Sequence, residues 1–194
     1  MDSFEHVSRR DFLDKGLKFG AAGLAASYSL RSPVTTNAAA GNQWQIGCYT
    51  RPWAKYDYRA ALDAIAEAGF KYAGLMTTST ETGLVISVST TLEEAQQVGR
   101  EAKKRGLGIP SVYGGNIPVA ESLEAGIKGL RKLIDNCAAC GAANLMMGGI
   151  GDEKLYDVYY KAIAECCDYA AEKGVGISVK PHGGLNSTGP QCRK

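Results

Sequence analysis

The chain has 194 residues, 45% of them apolar and 22% charged, an ordinary globular balance. Its 22 Lys and Arg are matched by 20 Asp and Glu, so no field of one sign exists to attract nucleic acid or an anionic membrane surface. The 24 glycines follow no collagen-like period and form no Gly/Ser linker, which leaves them as turn punctuation.

Residues 1–40 differ in character from the rest. SRRDFL places Arg9 and Arg10 ahead of Phe12 and Leu13, a Gly/Ala-rich apolar stretch follows, and TTNAAAG supplies small residues at Ala38 and Ala40. A basic start, a modest apolar middle and an A-x-A end read as an export signal. It is similar to a twin-arginine signal, although Asp14 stands where a lysine is common. The apolar stretch falls short of the roughly 20 residues that a spanning helix needs. Residues 1–40 are therefore expected to deliver the protein to the periplasm or another extracytoplasmic space without a stable membrane span. Residues 41–194 are expected to form one domain.

From residue 44 one pattern recurs: short apolar run, loop, amphipathic stretch, glycine. The first run is WQIGCYT (44–50), after which Asp57 caps a helix with Ala61, Leu62 and Ile65 on one face, ended by Gly69. KYAGLM (71–76) follows, then the long loop TTSTETGLVISVSTT (77–91), expected to be an extra strand or a flap over the mouth. Thr91 and Glu94 fit a capping box for a helix with Ala95, Val98 and Ala102, ended by Gly106. LGIPSVYGG (107–115) leads into a helix marked by Leu123, Ile127, Leu130, Ile134 and Cys137, ended by Gly141. ANLMMGG (143–149) leads into a single helix running from Leu155 through Ala170 to Gly174, and VGISVK (175–180) is the fifth run.

Four strand–helix units and a fifth strand, with runs that do not alternate, predict an α/β fold with a parallel sheet. A doubly wound open sheet and a (β/α)8 barrel both fit this pattern. No run is followed by a G-x-G-x-x-G or P-loop motif. A whole barrel needs roughly 250 residues, more than 41–194 supplies. Cys137, Cys140 and Cys166 occupy apolar helical positions, and Cys137-Ala-Ala-Cys140 closes a helix rather than opening one, so core packing is expected of them rather than redox or zinc chemistry.

In either architecture ligands bind at the C-terminal ends of the strands. Those ends carry Tyr49, Thr77, Tyr113 and Asn116 as candidate substrate contacts, and Lys180 and His182 as candidate catalytic residues. A lysine can polarise a carbonyl or stabilise an enediolate, and a histidine can move a proton or bind a metal. Gly-Gly pairs at three of the tips (Gly114-Gly115, Gly148-Gly149, Gly183-Gly184) serve either close backbone approach to a ligand or tight turns. No Asp or Glu stands at any of the five ends.

The stretches IGCYTRPW with AALDAIAEAGFKYAGLM, then IPSVYGG, then SVKPHGGLNSTGPQCRK resemble, in order and spacing, the xylose isomerase-like (AP endonuclease family 2) TIM barrels. More narrowly they resemble the exported sugar phosphate isomerase/epimerase group. The resemblance covers about residues 44–194 and roughly the first half of such a barrel, which implies a partial (β/α)8 barrel in a C-terminally truncated chain. It further implies a small sugar or sugar phosphate as ligand and proton abstraction beside its carbonyl. A divalent metal (Mn, Mg or Zn) is implied for the full-length family, held by a carboxylate on strand five and by Asp, His and Glu on strands six to eight. Many members carry E-P-H or E-N-H where this chain has Lys180-Pro181-His182, so the metal ligands here are unknown. Low or absent activity, and self-association through open sheet edges, are expected of such a chain. A non-catalytic exported carbohydrate-binding protein is the alternative. The DNA-cleaving branch of the resemblance is disfavoured by the near-neutral charge and the export signal.

Overall fold

In the structure, a computed structural model describing residues 44–182 and 184–193, five short strands pair in the order in which they occur, all parallel. The export signal expected at 1–40, with Arg9, Arg10, Ala38 and Ala40, lies outside the described residues. The strands are β1 (Gly47–Tyr49), β2 (Tyr72–Gly74), β3 (Val112–Tyr113), β4 (Asn144–Met147) and β5 (Gly176–Val179). β1 meets β2 with Tyr49 opposite Gly74, β3 meets β4 with Tyr113 opposite Met146, and β4 meets β5 with Asn144 opposite Gly176.

The β2–β3 seam is looser. It holds isolated bridges at Tyr72–Gly108 and Leu75–Val112, between which the register slips by one residue. Pro110 lies in that gap and has no N–H to give to a ladder, and the extra residue makes a bulge. Pairing resumes at once, with Leu75 N donating to Ser111 O at 3.0 Å and Tyr113 N to Leu75 O at 2.8 Å. A doubly wound sheet reverses strand order at its switch point. Here there is no reversal among the described strands, and the sheet is a segment of a (β/α)8 barrel.

The connecting helices are α1 (Tyr58–Glu67), α2 (Leu92–Lys104) and α3 (Leu123–Cys140). The first two start at the caps the sequence predicts, Asp57 and Thr91, and the third at Ser122, a cap not singled out from the sequence. Asp57 accepts from Arg59 N at 2.8 Å, Thr91 and Glu94 form a reciprocal capping box, and Ser122 accepts from Ala125 N at 3.0 Å. Gly69, Gly106, Gly141 and Gly174 follow the helices with φ of 86°, 69°, 82° and 68°, left-handed values that glycine adopts without a Cβ clash.

The helix expected from Leu155 to Ala170 is instead broken into a 3-10 turn (Glu153–Leu155), α4 (Tyr156–Ala164) and α5 (Cys167–Glu172). At the break Cys166 N reaches only three residues back, to Ile163 O at 3.0 Å, and the Cys167 thiol donates to that same carbonyl at 3.4 Å. A side chain thus competes for the acceptor that a continuous ladder would give to a backbone N–H.

Consecutive helices pack on each other, α2 on α3 and α3 on α4. The outward strand residues Ala73, Leu75, Val112, Leu145 and Met147 are buried with Leu62 and Ile65 of α1, Val98 of α2 and Leu130, Leu133 and Ile134 of α3. Along β4 burial alternates, with Asn144 and Met146 half-buried and Leu145 and Met147 buried. The helices therefore cover one face of the sheet, and the other face stays open.

The 77–91 loop, expected to be a short extra strand or a flap over the mouth, is packed into the core. Thr77 and Leu84 form an antiparallel bridge, Val85 N donates to Met76 O at 3.0 Å, and the loop lowers Val85, Ile86 and Ser87 into buried positions. Ile86, 0% exposed, is part of the main core. Replacing it tests this placement: Ile86→Ala is expected to destabilise the protein by about 2–5 kcal/mol in urea unfolding, the range for emptying a core position. A loss under about 0.5 kcal/mol, typical of a surface change, would mean that the loop is not part of the core.

Candidate functional site at the strand tips

Alternation along the strands assigns the open face. Tyr49 on β1, Gly74 on β2, Tyr113 on β3, Asn144 and Met146 on β4, and Ser178 on β5 turn away from the helices, and Lys180 continues that parity beyond β5. Lys180 is half-buried, and its N–H donates to Met147 O at 2.8 Å, which extends the β4–β5 ladder to the strand tip.

The tyrosines on this face lie over glycines of the next strand. A Cβ placed on Gly74 would sit 2.5 Å from a ring carbon of Tyr49, and one on Gly148 would sit 3.1 Å from the Tyr113 hydroxyl. An aromatic ring across from a strand glycine shields backbone and restores the apolar contact that the missing side chain forfeits. The result is a tyrosine-lined floor whose rings are held in place by the absence of two methyl groups.

The fourth strand tip is held by two side chains, Tyr159 and Asn186. Tyr159 of α4, 1% exposed, donates its hydroxyl to Gly148 O at 2.5 Å. Gly149 leaves no room for a Cβ beside Asn186, whose Oδ1 accepts from Tyr160 at 2.8 Å. Burial pushes the Tyr159 phenol up, so it stays protonated and keeps donating. The glycines of this tip are therefore spent on the protein's own side chains rather than on an approaching ligand.

The residues named from sequence do not all converge. Tyr49, Tyr113 and Lys180 share the open face. His182 is exposed, just past the end of β5. Asn116 is exposed on the rim, after Gly115, whose φ of 71° turns the chain against Leu84. Thr77 does not reach the face. Its carbonyl accepts from Thr50 Oγ1 at 2.9 Å, and its own Oγ1 is buried without a hydrogen-bond partner among the described residues. Met76, the preceding residue, has the inward parity instead.

Three inward residues were not singled out from sequence. Asn144 Nδ2 donates to Ser111 Oγ at 3.1 Å and to Ser178 Oγ at 3.0 Å, joining β4 to the chain on both sides. The signal was available: Ser178 has the parity of Lys180, and Asn144 stands where a barrel strand usually has a branched apolar residue.

Other features are structural. Cys137, Cys140 and Cys166 are buried and free, and burial pushes the Cys140 thiol up to about 11 and Cys137 higher still, so the C-x-x-C pair packs as expected. A groove of about 440 Å³ between the 77–91 loop and the first turns of α1 and α2 lies away from Lys180. Its hydroxyls serve the loop's own folding: Thr78 donates to Tyr56 O, Thr80 to Leu84 O, and Thr90 accepts from Ser87 N. The described residues do not fit a divalent cation, since no group of three His, Cys, Asp or Glu converges and the ionisable side chains at the β5 tip are Lys180 and His182. Asp152 caps the turn after β4, accepting from Lys154 N at 2.9 Å. No helix of the described residues is long and apolar enough to cross a membrane.

Comparison with known proteins agrees with this geometry. The family model described as xylose isomerase-like TIM barrel matches residues 62–192. Among solved structures, a 3-keto-D-glucoside 4-epimerase from E. coli superposes with a TM-score of 0.57 at 14% identity, over 78% of this chain and 62% of that one. A xylose isomerase domain containing protein from Salmonella typhimurium gives 0.54 at 20% identity, over 70% and 49%. A D-psicose 3-epimerase, solved in the presence of D-fructose, gives 0.52 at 14%, over 69% and 52%. These likenesses establish the fold, and the chain spans about half to three-fifths of the length of these structures. No curated protein matches it.

The tyrosine–glycine packing has a direct test. Gly74→Ala forces the Tyr49 ring aside and is expected to cost about 1–3 kcal/mol, the range for overpacking, with a change in the near-ultraviolet tyrosine signal. Gly151→Ala, where an added Cβ meets nothing within 4 Å, is the control. Equal stability of the two variants would refute the packing role.

Proposed function

Because the chain belongs to the xylose isomerase-like TIM-barrel family, we propose that its open sheet face receives a small sugar and that its chemistry is isomerisation or epimerisation by proton transfer beside the sugar carbonyl. The single observation behind this reading is the mouth: a half-buried lysine at the fifth strand tip, over a face lined by Tyr49 and Tyr113. Aromatic faces meet the C–H surface of a sugar, and their hydroxyls meet its oxygens. The Lys180 ammonium donates to the carbonyl oxygen and draws charge toward it, which acidifies the neighbouring C–H. His182, exposed two residues beyond Lys180, is the candidate base in this reading. It takes that proton and returns it on the same face to the adjacent carbon while the hydroxyl hydrogen passes between the two sugar oxygens, which gives isomerisation. Epimerisation requires a second proton donor on the opposite face.

A second reading, a non-catalytic carbohydrate-binding protein, is favoured by one observation: the described strand tips carry no carboxylate that could serve as base or metal ligand. Action outside the cytoplasm is part of the proposal and rests on the twin-arginine-like sequence around Arg9 and Arg10.

Calorimetric titration of the full chain with D-fructose, D-xylose and D-glucose, with and without chelator, is expected to detect binding that Lys180→Ala weakens about tenfold or more, as for loss of a charged hydrogen bond. Proton NMR in D2O then separates the readings. Exchange of the hydrogen beside the carbonyl, lost in Lys180→Ala and slowed in His182→Ala, marks catalysis; binding without exchange marks the second reading. A wild-type chain that binds no sugar sinks both.

Export has its own test. The protein carrying Arg9→Lys and Arg10→Lys together should stay in the cytoplasmic fraction of an expressing bacterium while the unaltered chain leaves it; identical fractionation would exclude the twin-arginine route.

A further inference from the structure

Inward positions of a (β/α)8 barrel are normally filled by Val, Ile and Leu. In the layer beneath Lys180 this sheet instead places Ser111, Asn144 and Ser178 side by side on three neighbouring stretches of chain. Asn144 Nδ2 gives one hydrogen to each serine oxygen, at 3.1 and 3.0 Å. Each serine is thereby fixed as an acceptor toward the asparagine, and its own O–H hydrogen is left over. Among the described residues neither serine hydroxyl has an acceptor, and Ser178 is exposed on the open face. Ser178 and Lys180 are two residues apart on the same side of the strand, about 6–7 Å along it. The three donors, two hydroxyls and one ammonium, thus line one wall. None of the inward-facing strand residues described is a carboxylate.

A neutral sugar hydroxyl can be met by such a wall, whose serine oxygens and Asn144 Oδ1 also accept, but it gains nothing from the Lys180 charge. A carboxylate or phosphate oxygen accepts only, and charge-assisted hydrogen bonds to it are roughly twice as strong as neutral ones. We propose that Ser111, Asn144 and Ser178 form the specificity-determining floor of the site, selecting a sugar that carries an anionic oxygen group. Asn144 acts by positioning: its amide spends both hydrogens on the serines and so aims theirs at the ligand. The inference rests on the reading of the strand-tip mouth as a sugar site.

The experiment titrates the full chain at low salt with D-glucuronate, D-fructose 6-phosphate and D-fructose. At least one charged sugar is expected to bind about tenfold tighter than D-fructose, and the two arms distinguish carboxylate from phosphate. In Ser111→Ala/Ser178→Ala the ratio of charged-sugar to D-fructose affinity should fall to about one, whatever the change in absolute affinity, as expected when the donors to the anion are removed. Asn144→Asp, isosteric but an acceptor only, should draw both serine hydrogens to itself and abolish the preference, with circular dichroism confirming the fold of each variant. If D-fructose binds as tightly as both charged sugars, or if the double serine variant keeps the preference, the floor is not selective and the sugar-site reading stands. If no sugar binds at all, the mouth reading itself fails and this inference falls with it.

Discussion

Leu145 and Met147 lie under α3 with no exposure, while Asn144 and Met146, the residues alternating with them, are only half-buried. That asymmetry governs the molecule. A parallel sheet whose helices all pack on one side buries one parity of its strand residues and hands the other parity to whatever occupies the concave side. The buried parity can be apolar and interchangeable within limits of volume. The open parity is free to carry chemistry, and here it carries tyrosine, serine, asparagine and lysine.

Strand order converts this asymmetry into a site. Each strand pairs with the next in sequence, so the residues after successive strands are brought to one rim. The seam at Pro110 is the weak link, and the bulge there keeps the ladder continuous while shifting its register by one residue. On the other side of that stretch the β3–β4 register, with Val112 opposite Leu145, brings Ser111 beside Asn144 and sets up the polar layer beneath Lys180.

Much of the fold was legible because its determinants are local. Caps at Asp57 and Thr91 and the glycines after the helices depend on interactions within a few residues, and all appear where the pattern places them. The broken helix around Cys166 was not legible, since the competing bond from the Cys167 thiol leaves the apolar spacing unchanged. The loop from Thr77 to Thr91 reads as polar and long, yet its Ile86 is core, because a few apolar residues inside it meet a hole that only the assembled sheet and helices create.

The site divides the same way. The sequence by itself determined that Tyr49, Tyr113 and Lys180 end strands of a parallel α/β unit, because strand ends follow from periodicity and glycine punctuation. It equally determined that no Asp or Glu occupies those strand ends. Tertiary structure decided the rest: a barrel segment rather than an open sheet, Thr77 withdrawn from the face, and Asn144 bonded to two serines that lie 33 and 34 residues away in the chain. Those outcomes depend on register between strands distant in sequence, and register is set by the packing of whole faces rather than by any short stretch of residues.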